Sequence, residues 1–198
     1  MTVTRGFYGR HDPRAASLPP GQHVTSGFPV LSTGPAHNEP TDSWTFSITS
    51  ETGGTHTWTW KEMMQLPADS VTTDIHCVTR WSKLGTTWKG VSLDVLFEHG
   101  AVEYPYATAH SYGGYTTNLP MTDLLGGRAW IAYEYDGSPL TAEHGGPARL
   151  LVPHLYFWKS AKWVKGITMK KADEPGFWER NGYHNYGDPW REERHAGD

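Results

Sequence analysis

The sequence predicts an α+β fold, a single domain of irregular mixed β-sheets with short helices. Three observations carry this. Segments of alternating polar and apolar residues recur along the chain, helical spacing is confined to brief stretches, and no βαβ rhythm joins them. A chain of 198 residues is long enough for one domain with a real core.

Residues 1 to about 40 are rich in Pro, Gly, His and Asn without periodicity, which predicts an extended N-terminal arm lying over the domain surface. The body, residues 41–185, opens with SWTFSITS, a turn at ETGGT and then HTWTW, a hairpin pattern with one buried face. KEMMQLP predicts a short helix that ends before Pro67. SVTTDIHCV is β-branched and predicts a strand ending near Cys77. SLDVLFEHG places Leu93, Leu96 and Phe97 at helical spacing, with Ser92 at the N-cap and Gly100 at the stop.

YPYATAHSYG predicts another strand, and a short helix is expected from about Thr122. RAWIAYEYDGSPL alternates into an Asp136–Gly137 turn, RLLVPHLYFW is an apolar run broken at Pro153, and AKWVKGITM alternates again. Residues 186–198 form a polar C-terminal tail, and the last ten residues are expected to be loosely held.

Composition removes several function classes. A net charge of −4 gives no electrostatic pull toward nucleic acid or anionic lipid. A single cysteine makes no internal disulfide, and neither a signal-like apolar segment nor a run of membrane-spanning length is present, so a cytoplasmic protein is expected. Ten Trp and ten Tyr within only 37% hydrophobic residues put much of the apolar material into large rings, which can fill a core or line a pocket.

The chemistry centres on TTDIHCVTRWSKL. An isolated cysteine in an apolar strand is ordinarily a small buried filler. Here His76 and Arg80 flank Cys77 at a strand end, where positive charge favours a thiolate. Two uses stay open, a nucleophile and a ligand to a soft metal. Zinc has little support, because no CxxC or HExxH spacing accompanies the thiol.

In EHGGPARLLVP, His144 and two glycines let backbone approach a ligand, and Arg149 supplies a planar fork suited to phosphate. The alternative is an ordinary turn with a surface arginine. FWKSAKW offers Lys159, Ser160 and Lys162 as an anion seat, the alternative being a solvated basic turn. SYGGYTTNLP, with Tyr112, Tyr115 and Asn118 around Gly113–Gly114, reads either as a substrate-facing loop or as an aromatic turn packed on the core.

These strings, in this order from about Phe28 to Tyr183, resemble the molybdopterin domain of the sulfite oxidase family. The most specific piece is LAYE-x-x-G-x-PL-x-x-x-HG-x-P-x-R-x-x-VP, present as IAYEYDGSPLTAEHGGPARLLVP and followed by the K-W of SAKWVKGI. The resemblance implies a single molybdopterin-binding domain of the sulfite oxidase type, with molybdenum-molybdopterin as cofactor. It implies that Cys77 is the one protein ligand to molybdenum, with the W-x-G of TTWKGVSL following it as in the family.

By position, His144 and Arg149 are expected to bind the pterin and its phosphate. Ser160, Ala161 and Lys162 complete the phosphate seat, and His76 joins the cofactor-binding set. Ser111 falls at a further pterin contact, with His110 as the neighbouring choice. Tyr115 and Arg80 are expected to position substrate, with Arg180 near the family's late active-site arginine and Asn181 as its alternative alignment.

The implied function is an oxidoreductase that moves an oxygen atom to or from a small sulfur- or nitrogen-centred substrate. Where sulfite oxidases carry paired arginines after the cysteine, CVTRWS has Arg80 and then Trp81, and TSGFPV has no basic residue at an earlier arginine position. Fewer fixed charges disfavour a sulfite dianion. A separate electron-transfer partner and a monomer rather than a dimer are expected. The rival readings are a non-catalytic molybdopterin carrier and a metal-free anion-binding module using Arg149 and Lys162.

Overall fold

A computed structural model describes residues 17–98, 102 and 104–198, and shows two sheets that share a core. The first is built on the long strand β5 (Trp81–Ser92). Strand β4 (Asp69–His76) runs antiparallel along one edge of it. The other edge is shared by β1 (His23–Val24), parallel to its start, and β8 (Trp130–Tyr135), antiparallel to its end. Strands β9 (Ser138–Pro139) and β10 (Arg149–Leu151) both pair antiparallel with β8.

The second sheet has the order β3 (Thr55–Thr59), β2 (Thr45–Thr49), β11 (Val164–Lys170), β6 (Tyr106–Ser111), β7 (Thr116–Pro120). Only β2 and β11 are parallel in it. The α+β expectation is met, and helices are confined to α1 (Trp60–Met63), α2 (Leu93–Phe97), α3 (Phe177–Arg180) and short 3-10 turns among the described residues.

Alternation sets which side each strand buries. In β8, Ile131 and Tyr133 join the main core with Phe46, Trp58, Leu93, Leu119 and Ile167, whereas Trp130 and Ala132 face a second cluster with Ile75, Cys77, Trp81, Trp88 and Leu151. A sheet buried on both faces needs apolar residues at successive positions, which explains the unbroken WIAY and RLLV runs. The second cluster carries the candidate site. Each fully buried ring, such as Trp44 or Trp88, withdraws roughly 150–250 Å² from water.

The β2–β3 hairpin sets Phe46 opposite Trp58, as its alternation requires. Thr59 caps α1 in a reciprocal box with Glu62, and Ser92 caps α2. Gly100, the expected stop of α2, lies outside the described residues, as do residues 1–16 of the arm.

Three features depart from expectation. Strand β5 has no counterpart in the sequence reading, because Gly85 and Gly90 interrupt its apolar alternation. Gly90 is needed there, since a Cβ would lie 2.7 Å from Ala132 Cα across the ladder. Half of the SYGGYTTNLP loop is strand β7, with Asn118 tied to Asp173 and Asn185, and the Tyr112 hydroxyl donates to the Thr45 carbonyl. The tail is not loose. Glu193 and Arg194 are each 5% exposed, and Tyr183 bridges to His195, because the polar side chains find partners inside the fold.

Candidate functional site

The hairpin between β4 and β5 places the lone thiol. Cys77 N–H donates to the Trp81 carbonyl at 2.9 Å, and Arg80 N–H donates to the Cys77 carbonyl at 3.0 Å. Val78, Thr79 and Arg80 therefore form a three-residue loop, whose last residue adopts the left-handed conformation with φ 76°. Cys77 is 8% exposed, with Sγ 3.1 Å from Thr79 Oγ1.

The chain from Thr141 to Arg149 supplies the facing wall. A 3-10 turn over Ala142–His144 ends at Gly145, where φ is 101° and a Cβ would sit 3.0 Å from Lys162 Cα. Glycine thus lets the Lys162 backbone close onto the turn that carries His144. Arg149, 1% exposed, donates to the carbonyls of His144 at 2.9 Å and Ser160 at 2.7 Å, and its guanidinium lies 4.0 Å from the centre of the Phe157 ring. Ser160 Oγ accepts from Val152 N–H, which ties the 160–162 segment to the end of β10.

Between these walls lies a cavity of about 280 Å³ lined by Cys77, Tyr115, His144, Arg149, Ser160, Ala161 and Lys162. Those seven sequence candidates come together. Trp81, expected where sulfite oxidases carry an arginine, lines it too; Phe28, Trp158, Trp163, Trp178 and Tyr183 also line it and were missed, the high count of Trp and Tyr being the only signal for the last four.

Four candidates do not line the cavity, and each has a physical reason. His76 precedes Cys77 on a strand and so faces the opposite side, where Nδ1 shares a 2.8 Å hydrogen bond with Ser82 Oγ. Arg80 is exposed at the left-handed corner of the loop. Ser111 is fully buried, and its Oγ has no hydrogen-bond partner. Arg180 is exposed at the end of α3 and donates to the Pro175 carbonyl, while Trp178, on another side of that helical turn, reaches the cavity.

The alternatives fare likewise: His110 bonds Thr168, and Asn181 donates to the Phe177 carbonyl. Lys159 is not part of an anion seat either. It is buried in an ion pair with Glu179 at 2.6 Å and donates to Asn118 and Asn185.

The electrostatics are those of a positive, enclosed site. Burial pushes Arg149 down to about 9, which leaves it charged at neutral pH. Burial and then Arg149 push Lys162 down to about 8, and burial and the same charges hold His144 below its ordinary value, hence neutral. Burial, then Glu179, holds the Tyr115 phenol well above its ordinary value, and its hydroxyl donates to the Trp158 carbonyl at 2.6 Å.

Burial raises the Cys77 thiol against the Thr79 hydrogen bond and the Arg194 charge. With His76 and Arg80 both turned away, the protein alone does not activate a nucleophile here. A metal cation would hold the thiolate.

Among the described residues no three His, Cys, Asp or Glu side chains converge as metal ligands, so a metal at Cys77 needs its remaining ligands from a bound group. The residues fit such a group. Arg149 has no carboxylate partner among the described ion pairs, which suits a phosphate. His144 Nδ1 and Trp81 Nε1 are buried at the cavity without partners, which suits a polar heterocycle.

The comparisons with known proteins agree. The profile of the oxidoreductase molybdopterin binding domain matches residues 33–178. The uncharacterized oxidoreductase YuiH of Bacillus subtilis (strain 168) is 42% identical over 192 residues, 96% of this chain and 97% of that protein. The putative protein-methionine-sulfoxide reductase subunit YedZ1 of Azospira oryzae is 31% identical over 135 residues, and the match spans 67% of this chain and about half, 51%, of that one. Among solved structures, the sulfane dehydrogenase SoxCD from Paracoccus pantotrophus superposes with a TM-score of 0.63 at 17% identity, covering 87% of this chain and 56% of that chain, a likeness of fold. The chain belongs to the family of oxidoreductase molybdopterin binding domains, as a single domain of the sulfite oxidase type with molybdenum-molybdopterin as its cofactor.

Proposed function

We propose that the chain is an oxidoreductase that moves an oxygen atom to or from a small sulfur- or nitrogen-centred molecule, with Cys77 as the one protein ligand to molybdenum. The observation that carries this is the meeting of the only thiol with Arg149, His144 and Lys162 in one cavity. When bound, the molybdenum-pterin group supplies two-electron oxygen-atom transfer, and the protein supplies binding, orientation and electrostatics.

Arg149, Lys162 and the Ser160–Ala161 backbone hold the phosphate in this reading, and His144, kept neutral, offers an unprotonated ring nitrogen to the pterin. Tyr115 is the substrate-positioning residue, fixed by its bond to the Trp158 carbonyl. Trp81, Trp158 and Trp178 exclude water from the reacting centre. With Arg80 and Arg180 outside the cavity, a sulfite dianion lacks the arginines that would clamp it. The name of the Azospira relative supports a sulfur-centred substrate and a chain that works beside another. The reading includes a separate electron-transfer partner, a monomeric chain and a cytoplasmic location; no helix among the described residues is long and apolar enough to cross a membrane.

The test is elemental analysis with a visible absorption spectrum, on protein purified from a host that makes molybdopterin. Stoichiometric molybdenum and a thiolate charge-transfer band, both lost in Cys77→Ser, are the expected result. A serine variant that kept metal, band and turnover would remove Cys77 from the metal. Wild-type protein without metal would leave an anion-binding module.

A further inference from the structure

We infer that Arg194, acting through Gln22, is a positioning residue for the Cys77 turn: the pair holds the backbone that presents the thiol and fixes a positive charge beside it. This rests on the reading of Cys77 as the molybdenum ligand.

The brace joins three distant parts of the chain. Gln22 Nε2 donates to the Cys77 carbonyl at 3.1 Å, the Trp81 carbonyl at 3.1 Å and Ser82 Oγ at 3.2 Å. It thereby spans the mouth of the loop, at the two carbonyls that also close it through backbone bonds. Arg194 Nη2 donates to Gln22 Oε1 at 3.1 Å and to the Pro20 carbonyl at 3.0 Å. Its Nη1 donates to the Val78 carbonyl, next to the ligand, at 2.7 Å. With its oxygen held by a guanidinium and its nitrogen by carbonyls, the Gln22 amide has one chemically consistent orientation.

Placement argues for more than packing. The Arg194 side chain is 6% exposed, and the carboxylate nearest it, on Glu192, is 3.6 Å away and 47% exposed. The guanidinium thus spends its hydrogen bonds on neutral oxygens around the loop, and the half-exposed Glu192 carboxylate only partly offsets the cost of a buried charge. A thiolate at Cys77 would be a further negative centre, since Arg194 Nη1 bonds the carbonyl of Val78, the residue next to it. Gly21 adopts φ 69°, a left-handed conformation that glycine takes without strain, and so turns the chain into Gln22. Both Gln22 and Arg194 lie outside residues 33–178, the stretch matched by the family profile.

A fixed cation beside the ligand stabilises the more electron-rich state of the centre. Removing it should make the metal harder to reduce.

The experiment compares holoprotein of the wild type with Arg194→Met, Arg194→Lys and Gln22→Leu. It reads molybdenum content, the electron paramagnetic resonance signal of the bound metal, its midpoint potential by dye-mediated titration, and Tm. In Arg194→Met the potential should move negative and the signal should shift. Arg194→Lys should recover the potential but not the signal shape, because an ammonium supplies the charge without the fork. Gln22→Leu should shift the signal with the charge still present, and it decides the matter if Arg194→Met does not fold. Loss of metal from a variant that is still folded also supports the brace. A lower Tm with potential and signal unchanged in both Arg194→Met and Gln22→Leu would make it a purely structural contact and overturn the inference. A signal unchanged in Cys77→Ser would instead overturn the ligand assignment, a separate failure.

Discussion

Phe28 lies flat on His144, with ring centroids 3.9 Å apart and planes 10° from parallel. The arm that precedes the domain body is therefore a wall of the cavity, because the same ring also meets Trp81, Trp88, Tyr135 and Phe157. Phe28→Ala should loosen His144 and open the cavity to water. An aromatic pair is worth about 0.5–1.5 kcal/mol beyond its buried area, so a stability loss of about 2 kcal/mol in urea denaturation is expected. The holoprotein should also lose molybdenum faster during gel filtration.

Arg80 occupies the left-handed corner of the Cys77 loop, a conformation that costs a side-chain-bearing residue roughly 1–2 kcal/mol. Arg80→Gly relieves this while adding freedom to the unfolded chain, so stability should be unchanged or raised by up to about 1 kcal/mol. Because the side chain is outside the cavity, molybdenum content and turnover should stay at the wild-type level. A large loss of turnover, with metal retained, would return Arg80 to the substrate site.

The Lys159–Glu179 pair is buried on both sides at 1% exposure, and Glu179 Oε1 also accepts from Trp158 Nε1 and Thr117 Oγ1. Glu179→Gln leaves the Lys159 ammonium buried without its counter-charge. Breaking a buried pair in this way costs about 3–5 kcal/mol, read as a fall in the denaturation midpoint. Trp158 lines the cavity, so its near-ultraviolet circular dichroism should change as well.

Asp123 gives the acid limb of stability. Burial pulls its carboxyl upward, but the hydrogen bond and charge of His154, with Arg128 and Tyr186, outweigh this and hold it below the ordinary aspartate value. A depressed carboxyl stabilises the fold above its unfolded value, and the contribution is lost as pH falls through the lower folded value. Stability should therefore drop below a pH of about 4, and Asp123→Asn should flatten that part of the Tm-against-pH curve.

Local pattern was enough for the α+β class, for the β2–β3 hairpin with Phe46 opposite Trp58, and for the Ser92 cap of α2. These depend on neighbours within a few residues, where side-chain period and capping chemistry act. The long motif from Ile131 to Pro153 likewise placed His144 and Arg149, because one turn and one short strand carry both.

What lies around the thiol was decided elsewhere. Strand alternation turned His76 away while Cys77 faced in, and a left-handed corner turned Arg80 to solvent, so adjacency in sequence did not mean adjacency in the site. Phe28, Gln22 and Arg194 sit in segments with no periodic signal, and they reach the loop only because the segments around residues 22–28 and 194 fold back onto it. Contacts between residues 55 and 116 positions apart leave no trace in local pattern. The sequence by itself determined the fold class, most of the elements and the motifs that line the cavity; only the tertiary structure decided which charges face the thiol and which rings enclose it, since that choice is made by long-range packing.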